Sequence, residues 1–275
     1  MIEVQLKIAL RYEGCPVCRL CQQSEARRLF FILWEGVMDR EFRRVFLASE
    51  GLCLEHAWRL QTLEASEWHS GLGTGTLYES LLEAVRRMLA EQSEQTAAAA
   101  SPWWHPARWL RRAPAPALPP PEQCPVCRSR RRSEQSYTST LAKLLEQPAW
   151  REAYRASDGL CLPHLRKTLA HTARETRQWL LAETETKLHI VHHDLKEYLR
   201  KHSWQYHEEP MSQAEQRSWI RAVAVLRGER PHTREERFEQ VRRPRSTSAE
   251  VPAREGATHN DGAELPAEAA EESPG

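Results

Sequence analysis

Each half of the chain carries the same two cysteine motifs: Cys15-Pro-Val-Cys18 and Gly51-Leu-Cys53-Leu-Glu-His56 in the first half, and Cys124-Pro-Val-Cys127 and Gly159-Leu-Cys161-Leu-Pro-His164 in the second. Residues between the motifs repeat as well, because Phe42 and Ser49 correspond to Trp150 and Ser157 at one constant offset. The separation of the second and third cysteines differs by one residue between the halves, which a loop insertion would absorb. The sequence therefore predicts two copies of one supersecondary unit.

Apolar residues recur at helical spacing in both units, and no stretch alternates as a strand does. In the first unit the pattern continues from 56 to 68, breaks at Gly71-Leu-Gly-Thr-Gly75 and resumes over 77–95. After His164 no proline or glycine occurs before Pro210, so the pattern predicts a single long amphipathic helix there. The predicted fold class is all-α, with two tandem helical repeats packed together through their long helices.

The cysteine and histidine motifs have the spacing of metal ligands. A Ser-acid-Gly turn precedes the third cysteine of each unit, so that this cysteine and the histidine are expected to open a helix and to share one face. We predict that each repeat binds one ion through its own four residues: Cys15, Cys18, Cys53 and His56 in the first, and Cys124, Cys127, Cys161 and His164 in the second. Zinc prefers such ligands, so two zinc ions are expected, with another thiophilic metal or redox-active thiols as the alternatives.

Other cysteine chemistries fit the sequence less well. A thioredoxin-like motif needs a βαβ pattern, which is absent, and attached haem needs a histidine where Arg19 and Arg128 stand. Cys21 could suggest an iron-sulfur cluster, but its counterpart in the second unit is Arg130. We therefore predict that Cys21 is a buried or spare thiol. Four protein ligands also close a zinc shell, which favours a structural role over catalysis.

Composition and charge limit the classes of partner. The net charge of +1 gives no global attraction to nucleic acid or to anionic membranes, although a local cluster of arginines could offset the charge of a metal site or contact nucleic acid: Arg128, Arg130, Arg131 and Arg132. The first 14 residues do not resemble a secretion signal, and no apolar run is long enough to span a bilayer. We expect a cytoplasmic protein with reduced thiols and no membrane contact.

Composition also predicts the domain boundaries. The first repeat is expected over residues 1–95 and the second over 124–228. Between them, residues 96–123 form a linker rich in alanine, proline and tryptophan, whose Trp103, Trp104 and Trp109 are expected to fold back over the helices rather than dock a partner. Residues 229–275 are expected to form a disordered charged tail.

The motifs resemble those of an uncharacterised prokaryotic family of unknown function with paired Cys-Pro-x-Cys and Gly-x-Cys-x-x-His sequences. The likeness includes Cys15-Pro-Val-Cys18-Arg-Leu, Trp34-Glu-Gly-Val-Met-Asp39 and the Glu197–Tyr206 stretch, and it covers residues 5–228. The resemblance supports the architecture and the ligand assignment, and it implies no substrate.

The functional expectation is a zinc-binding helical scaffold that binds another protein; nucleic acid is the less favoured partner, and no enzyme activity is expected. One alternative is a thiol switch, in which oxidation of Cys15 with Cys18, or of Cys124 with Cys127, expels zinc. A second alternative is an enzyme whose site lies in the histidine and glutamate cluster of residues 189–209: His189, His193, His207, Glu208 and Glu209.

Overall fold

The computed structural model describes residues 1–99 and 123–230, and every regular element within them is helical, which confirms the predicted fold class. In chain order the helices are α1 (Ile2–Ala9), α2 (Pro16–Phe31), a π-helical turn (Ile32–Gly36), α3 (Arg40–Ala48), α4 (Leu54–Trp68), α5 (Leu72–Ala99), α6 (Pro125–Leu144), α7 (Pro148–Arg155), α8 (Leu162–Leu169), α9 (Arg174–Lys201) and α10 (Gln213–Arg227). No helix within these ranges has the length and apolar character needed to cross a bilayer. The expectations for Trp103, Trp104, Trp109 and residues 231–275 lie outside the described residues.

Helices α2 and α6 form the main contact between the two halves. The hydroxyls of Ser24 and Ser133 lie 3.0 Å apart, and Arg130 pairs with Glu25 at 3.1 Å, so the two helices run antiparallel. Because Ser24 and Ser133 occupy corresponding positions, an approximate twofold axis relating the halves passes between them. The prediction that the long helices join the halves is therefore wrong in its choice of helices, since α9 packs mainly against α10.

The helices pack around two hydrophobic cores, each of which combines residues of both halves and contains one of two corresponding aromatic residues. Phe46 is buried in the first core and Tyr154 in the second. The two differ in one polar contact, because the Tyr154 hydroxyl accepts a hydrogen bond of 3.1 Å from the backbone amide of Leu160. Helix α1 adds Leu6 and Leu10 to the second core, and α2 adds Val17 and Leu20.

The extra residue of the first half lies in a helix rather than in a loop. Between α2 and α3 the chain makes a π-helical turn over Ile32–Gly36, in which the amide of Val37 donates to the carbonyl of Ile32 at 2.9 Å. A π-helical turn adds one residue to an α-helix without ending it. The corresponding helix α6 contains no such turn, so one inserted residue explains the difference in spacing.

The helix predicted after His164 is interrupted, although no proline or glycine lies there. Helix α8 ends at Leu169, whose carbonyl accepts hydrogen bonds from the hydroxyl of Thr172 at 3.0 Å and from the guanidinium of Arg177 at 3.0 Å. Ala173 is extended and caps α9. Side chains thus satisfy the end of α8, and the chain can turn without the usual helix breakers.

The break between α4 and α5 also lies elsewhere than predicted. Helix α4 ends at Trp68, His69 takes a left-handed conformation, and the glycine-rich stretch forms the first turn of α5. The buried carboxylate of Glu64 accepts hydrogen bonds from the amides of Gly73 at 2.7 Å and Thr74 at 2.8 Å. Glu64 therefore caps α5 from the preceding helix. At its other end α5 continues to Ala99, beyond the predicted end of the first repeat.

Candidate metal centres

The eight predicted ligands lie in two clusters, but each cluster combines residues from both halves. The first centre contains Cys15, Cys18, Cys161 and His164, and the second centre contains Cys53, His56, Cys124 and Cys127. Within each centre the four ligand atoms lie within 4.8 Å of one another. The prediction that each repeat supplies all four residues of its own site is therefore wrong, although the eight residues are the same.

The antiparallel pairing of α2 and α6 explains the exchange. Helix α4 packs on α2, where Glu25 holds His56, and Glu25 lies seven residues beyond Cys18 along α2. Seven residues of α-helix span about 10 Å, so α4 cannot bring His56 to the cysteines at the start of its own α2. The start of α6 lies beside that part of α2, and its two cysteines therefore complete the cluster.

The distances between ligand atoms fit a tetrahedral metal site. Bond lengths of about 2.3 Å to sulfur and about 2.05 Å to nitrogen imply separations of about 3.8 Å between sulfurs and about 3.6 Å between sulfur and nitrogen. The Cys18 and Cys161 sulfurs are 3.6 Å apart, as are those of Cys53 and Cys127. The sulfur-to-nitrogen distances run from 3.1 to 3.5 Å in the first centre and from 3.1 to 3.7 Å in the second. Both arrangements leave room for one ion at their middle.

Both histidines face the cysteines through Nδ1 and contact a glutamate through Nε2. His56 Nε2 lies 3.3 Å from Glu25, and His164 Nε2 lies 2.9 Å from Glu134. A carboxylate on the distal nitrogen of a ligand histidine fixes the ring orientation and makes the other nitrogen a better ligand. Sequence reasoning missed both glutamates, but one signal was available, since Glu25 and Glu134 occupy corresponding positions in the two repeats.

Basic side chains complete the outer contacts and differ between the centres. Glu25 forms ion pairs with Arg59 at 3.0 Å and with Arg130 at 3.1 Å. Glu134 pairs with Lys167, which corresponds to Arg59, while Cys21 stands where the second half has Arg130. Cys21 is buried, as predicted, and it belongs to neither cluster.

The second centre favours the ionisation of one cysteine, Cys124, beside a charged histidine. Burial opposes ionisation of Cys124, but its hydrogen bonds with His56 and with backbone amides outweigh this and lower its pKa to about 6. Burial likewise opposes charging of His56, but its contacts with Cys124 and Glu25 raise its pKa to about 10. The hydrogen bond from His164 lowers the pKa of Glu134 to about 2. The second centre thus stabilises a thiolate against a nearby positive charge, and a divalent cation would provide such a charge more strongly.

A short segment after α10 covers the first centre. Gly228 lies against Cys18 and Cys161, so a Cβ atom at this position would lie 3.4 and 3.9 Å from their sulfurs. The amide of Glu229 lies 3.4 Å from the Cys18 sulfur, and its carboxylate accepts from the amide of Cys15 at 3.3 Å. The expectation that the disordered tail begins at residue 229 is therefore wrong for Glu229 and Arg230, because the cysteine cluster and Gln22 hold them in place.

The residues proposed for an enzyme site lie at the protein surface. His189, His193, His207 and Glu208 are exposed. Glu209 pairs with Arg200, and the His207 ring stacks on Trp204 at 6.0 Å. Within residues 1–99 and 123–230, the groupings suited to a metal are the two Cys3His clusters.

Fold and clusters together define an all-helical protein with two four-residue cysteine and histidine clusters that could hold metal ions. The chain belongs to the family of unknown function DUF6062, whose model matches residues 3–233. This match confirms the resemblance to an uncharacterised family and extends it slightly at both ends. No curated protein and no solved structure shows a significant match to the chain.

Proposed function

We propose that the chain is a two-zinc helical scaffold, in which the metal ions fasten the two halves together, and that it binds another protein. The observation that carries the proposal is the exchange of ligands between the halves. Each centre takes a Cys-Pro-Val-Cys pair from one half and a Cys-x-x-His pair from the other. An ion in either centre would therefore bridge the starts of two helices that are distant in sequence.

The chemistry of the ligands supports zinc in particular. Three thiolates and one imidazole in a tetrahedral arrangement suit zinc, and four protein ligands leave no position for a reactive water. This supports a structural role and speaks against an enzyme. All seven cysteines are free thiols, and the sulfurs within each centre are at ligand rather than disulfide separations. Such a set of thiols supports a location in a reducing compartment such as the cytoplasm.

An exposed aromatic cluster supports a protein partner. Phe30 stacks on Trp34 at 6.2 Å and contacts Trp68 at 5.2 Å, yet 68% of Trp34 remains exposed. The corresponding positions of the second half hold Ser139 and Lys143 in an equivalent helix. Since the second half forms this helix without aromatic residues, folding does not explain Phe30 and Trp34, whereas clustered exposed aromatics are typical of binding surfaces.

Two measurements test the proposal. Native mass spectrometry of the full chain purified without added metal should show two zinc ions, and a chain with fewer would contradict the scaffold. Affinity purification should then recover a protein partner that is lost with Trp34→Ser. Trp204→Ser provides the matched control, because Trp204 is exposed, lies just after the end of α9 and stacks on His207 rather than on the aromatic cluster. Equal recovery with both variants would contradict the aromatic surface as the site of binding.

A further inference from the structure

The two centres differ in the exposure of corresponding cysteines. Cys18 and Cys161 of the first centre are buried. Their counterparts in the second centre, Cys127 and Cys53, are partly exposed. The segments that lie against the two centres also differ, because α1 and the residues after α10 pack near the first centre.

The Gly228–Arg230 segment protects the first centre in two ways. Its backbone lies against both sulfurs, which blocks the approach of a reagent. The amide of Glu229 also points to the Cys18 sulfur, and a hydrogen bond to a thiolate makes it less nucleophilic. Gln22 holds this segment by donating to the carbonyls of Glu229 at 3.2 Å and Arg230 at 3.0 Å.

Within residues 1–99 and 123–230, no comparable segment covers the second centre. Leu54, directly after Cys53, is 78% exposed, and Trp58 one turn later is 64% exposed. Leu162, which corresponds to Leu54, packs against the second hydrophobic core instead. The two accessible sulfurs of the second centre are also neighbours, because those of Cys53 and Cys127 lie 3.6 Å apart.

We propose that the second centre is a redox-sensitive metal site, at which a peroxide joins Cys53 to Cys127 and releases the metal while the first centre keeps its ion. This rests on the metal-binding function proposed above. One thiolate attacks the peroxide and becomes a sulfenic acid, releasing hydroxide. The second thiolate attacks that sulfur, forms the disulfide and releases a second hydroxide. Two thiolates lose two electrons, the peroxide gains them, and the metal leaves unchanged as a divalent cation.

The short distance between the Cys53 and Cys127 sulfurs identifies the disulfide that we expect. The two sulfurs must approach from 3.6 Å to about 2.05 Å, which the departure of the ion permits. This bond would join the start of α4 to the start of α6, so that the halves remain linked when the second ion is lost. Oxidation would thus change one centre while the contact between α2 and α6 and the other centre persist.

The test uses the zinc-loaded full chain, treated with hydrogen peroxide in the presence of a chromogenic zinc chelator. We expect one ion per chain to be released at least about tenfold faster than the other, because thiolate oxidation depends on access. Peptide mapping without reductant should identify a Cys53–Cys127 disulfide. Equal release of both ions, or earlier release from the first centre, would overturn the proposal. A Cys124–Cys127 disulfide in its place would overturn the assignment of the pair.

Three variants test whether the covering segment causes the difference. Gly228→Ala places a side chain at a φ of +100°, a conformation that L residues rarely adopt, so it should displace the segment and accelerate release from the first centre. Gln22→Ala should act in the same direction with less disturbance. Gln23→Ala changes the exposed neighbour of Gln22, outside both clusters, and should change neither rate.

The ion count before oxidation separates the two proposals. Fewer than two ions in the untreated wild-type chain would contradict the zinc scaffold. Two ions with equal release rates would contradict only the redox proposal. If Gln22→Ala and Gly228→Ala both retain two ions and release the first at the wild-type rate, the segment is not the cause of protection.

Discussion

Because each centre takes ligands from both halves, two double variants should retain different numbers of zinc ions. Sites built within single repeats would predict the opposite numbers. The double variant Cys53→Ser with Cys127→Ser removes two ligands from the second centre and none from the first. The double variant Cys18→Ser with Cys53→Ser removes one ligand from each centre. We expect the first double variant to retain one zinc ion and the second to lose both. Sites formed within single repeats would give the reverse result.

The expected loss of zinc affinity follows from the contribution that one ligand makes to binding. Zinc binding to a structural site stabilises the folded state by about 10–16 kcal/mol at neutral pH, and loss of one partner from a buried charged contact costs about 3–5 kcal/mol. A loss of about 4 kcal/mol raises Kd about 1000-fold. One missing thiolate therefore weakens a centre to the point at which a competing chelator removes its ion.

Native mass spectrometry after exposure to a chelator of nanomolar affinity counts the ions that remain. The four single serine variants at Cys18, Cys53, Cys127 and Cys161 serve as controls, and each should retain one ion. Retention of one ion by the Cys18→Ser and Cys53→Ser combination, together with none in the Cys53→Ser and Cys127→Ser combination, would refute the exchanged arrangement.

Three further predictions concern single residues. Glu134→Gln should weaken the first centre by about 10–100-fold, and Glu25→Gln the second, as measured by chelator competition; an unchanged affinity would show that the distal contact of the histidine is dispensable. Glu64→Gln should lower the free energy of unfolding by about 1–2 kcal/mol. Burial opposes ionisation of Glu64, but the hydrogen bonds from Thr74 and Gly73 outweigh it, so its folded pKa lies below the unfolded value. The difference in the free energy of unfolding between wild type and Glu64→Gln should have its full size above about pH 4.3 and disappear as the pH falls through the folded pKa of Glu64. Chemical denaturation at several pH values checks this, and a difference that does not change with pH would contradict it. Gly159→Ala should cost about 1–2 kcal/mol in thermal unfolding, because the residue has a φ of +80° and a Cβ there would lie 2.8 Å from Lys187; an unchanged melting temperature would contradict that strain.

The sequence predicted the helical class and the eight clustered residues because these depend on local patterns. Helical spacing and the turn before each Cys-x-x-His motif are properties of short segments, and α4 and α8 do begin directly after Cys53 and Cys161. The repeated motifs also identified the eight ligand residues, although not how these residues are grouped. None of these patterns depends on the path of the chain between the two halves.

The grouping of the ligands could not be read from local patterns, because it depends on how α2 and α6 cross. Spacing along the chain is compatible with sites inside each repeat and with sites between repeats. The contacts that decide, such as Ser24 with Ser133 and Glu25 with His56, join residues far apart in sequence. Similar reasons apply to the end of α8, where side chains of Thr172 and Arg177 replace the expected proline or glycine.

The exchanged ligands also affect how the chain matures during synthesis. Cys18 and its partner Cys161 are 143 positions apart, and at about 5–20 residues per second a ribosome needs about 7–30 s to make the intervening chain. Until Cys161 and His164 have been made, Cys15 and Cys18 supply only half of a coordination shell. Metal loading must therefore wait until translation is well advanced, and a nascent chain stalled in between would present unligated cysteines to the cell.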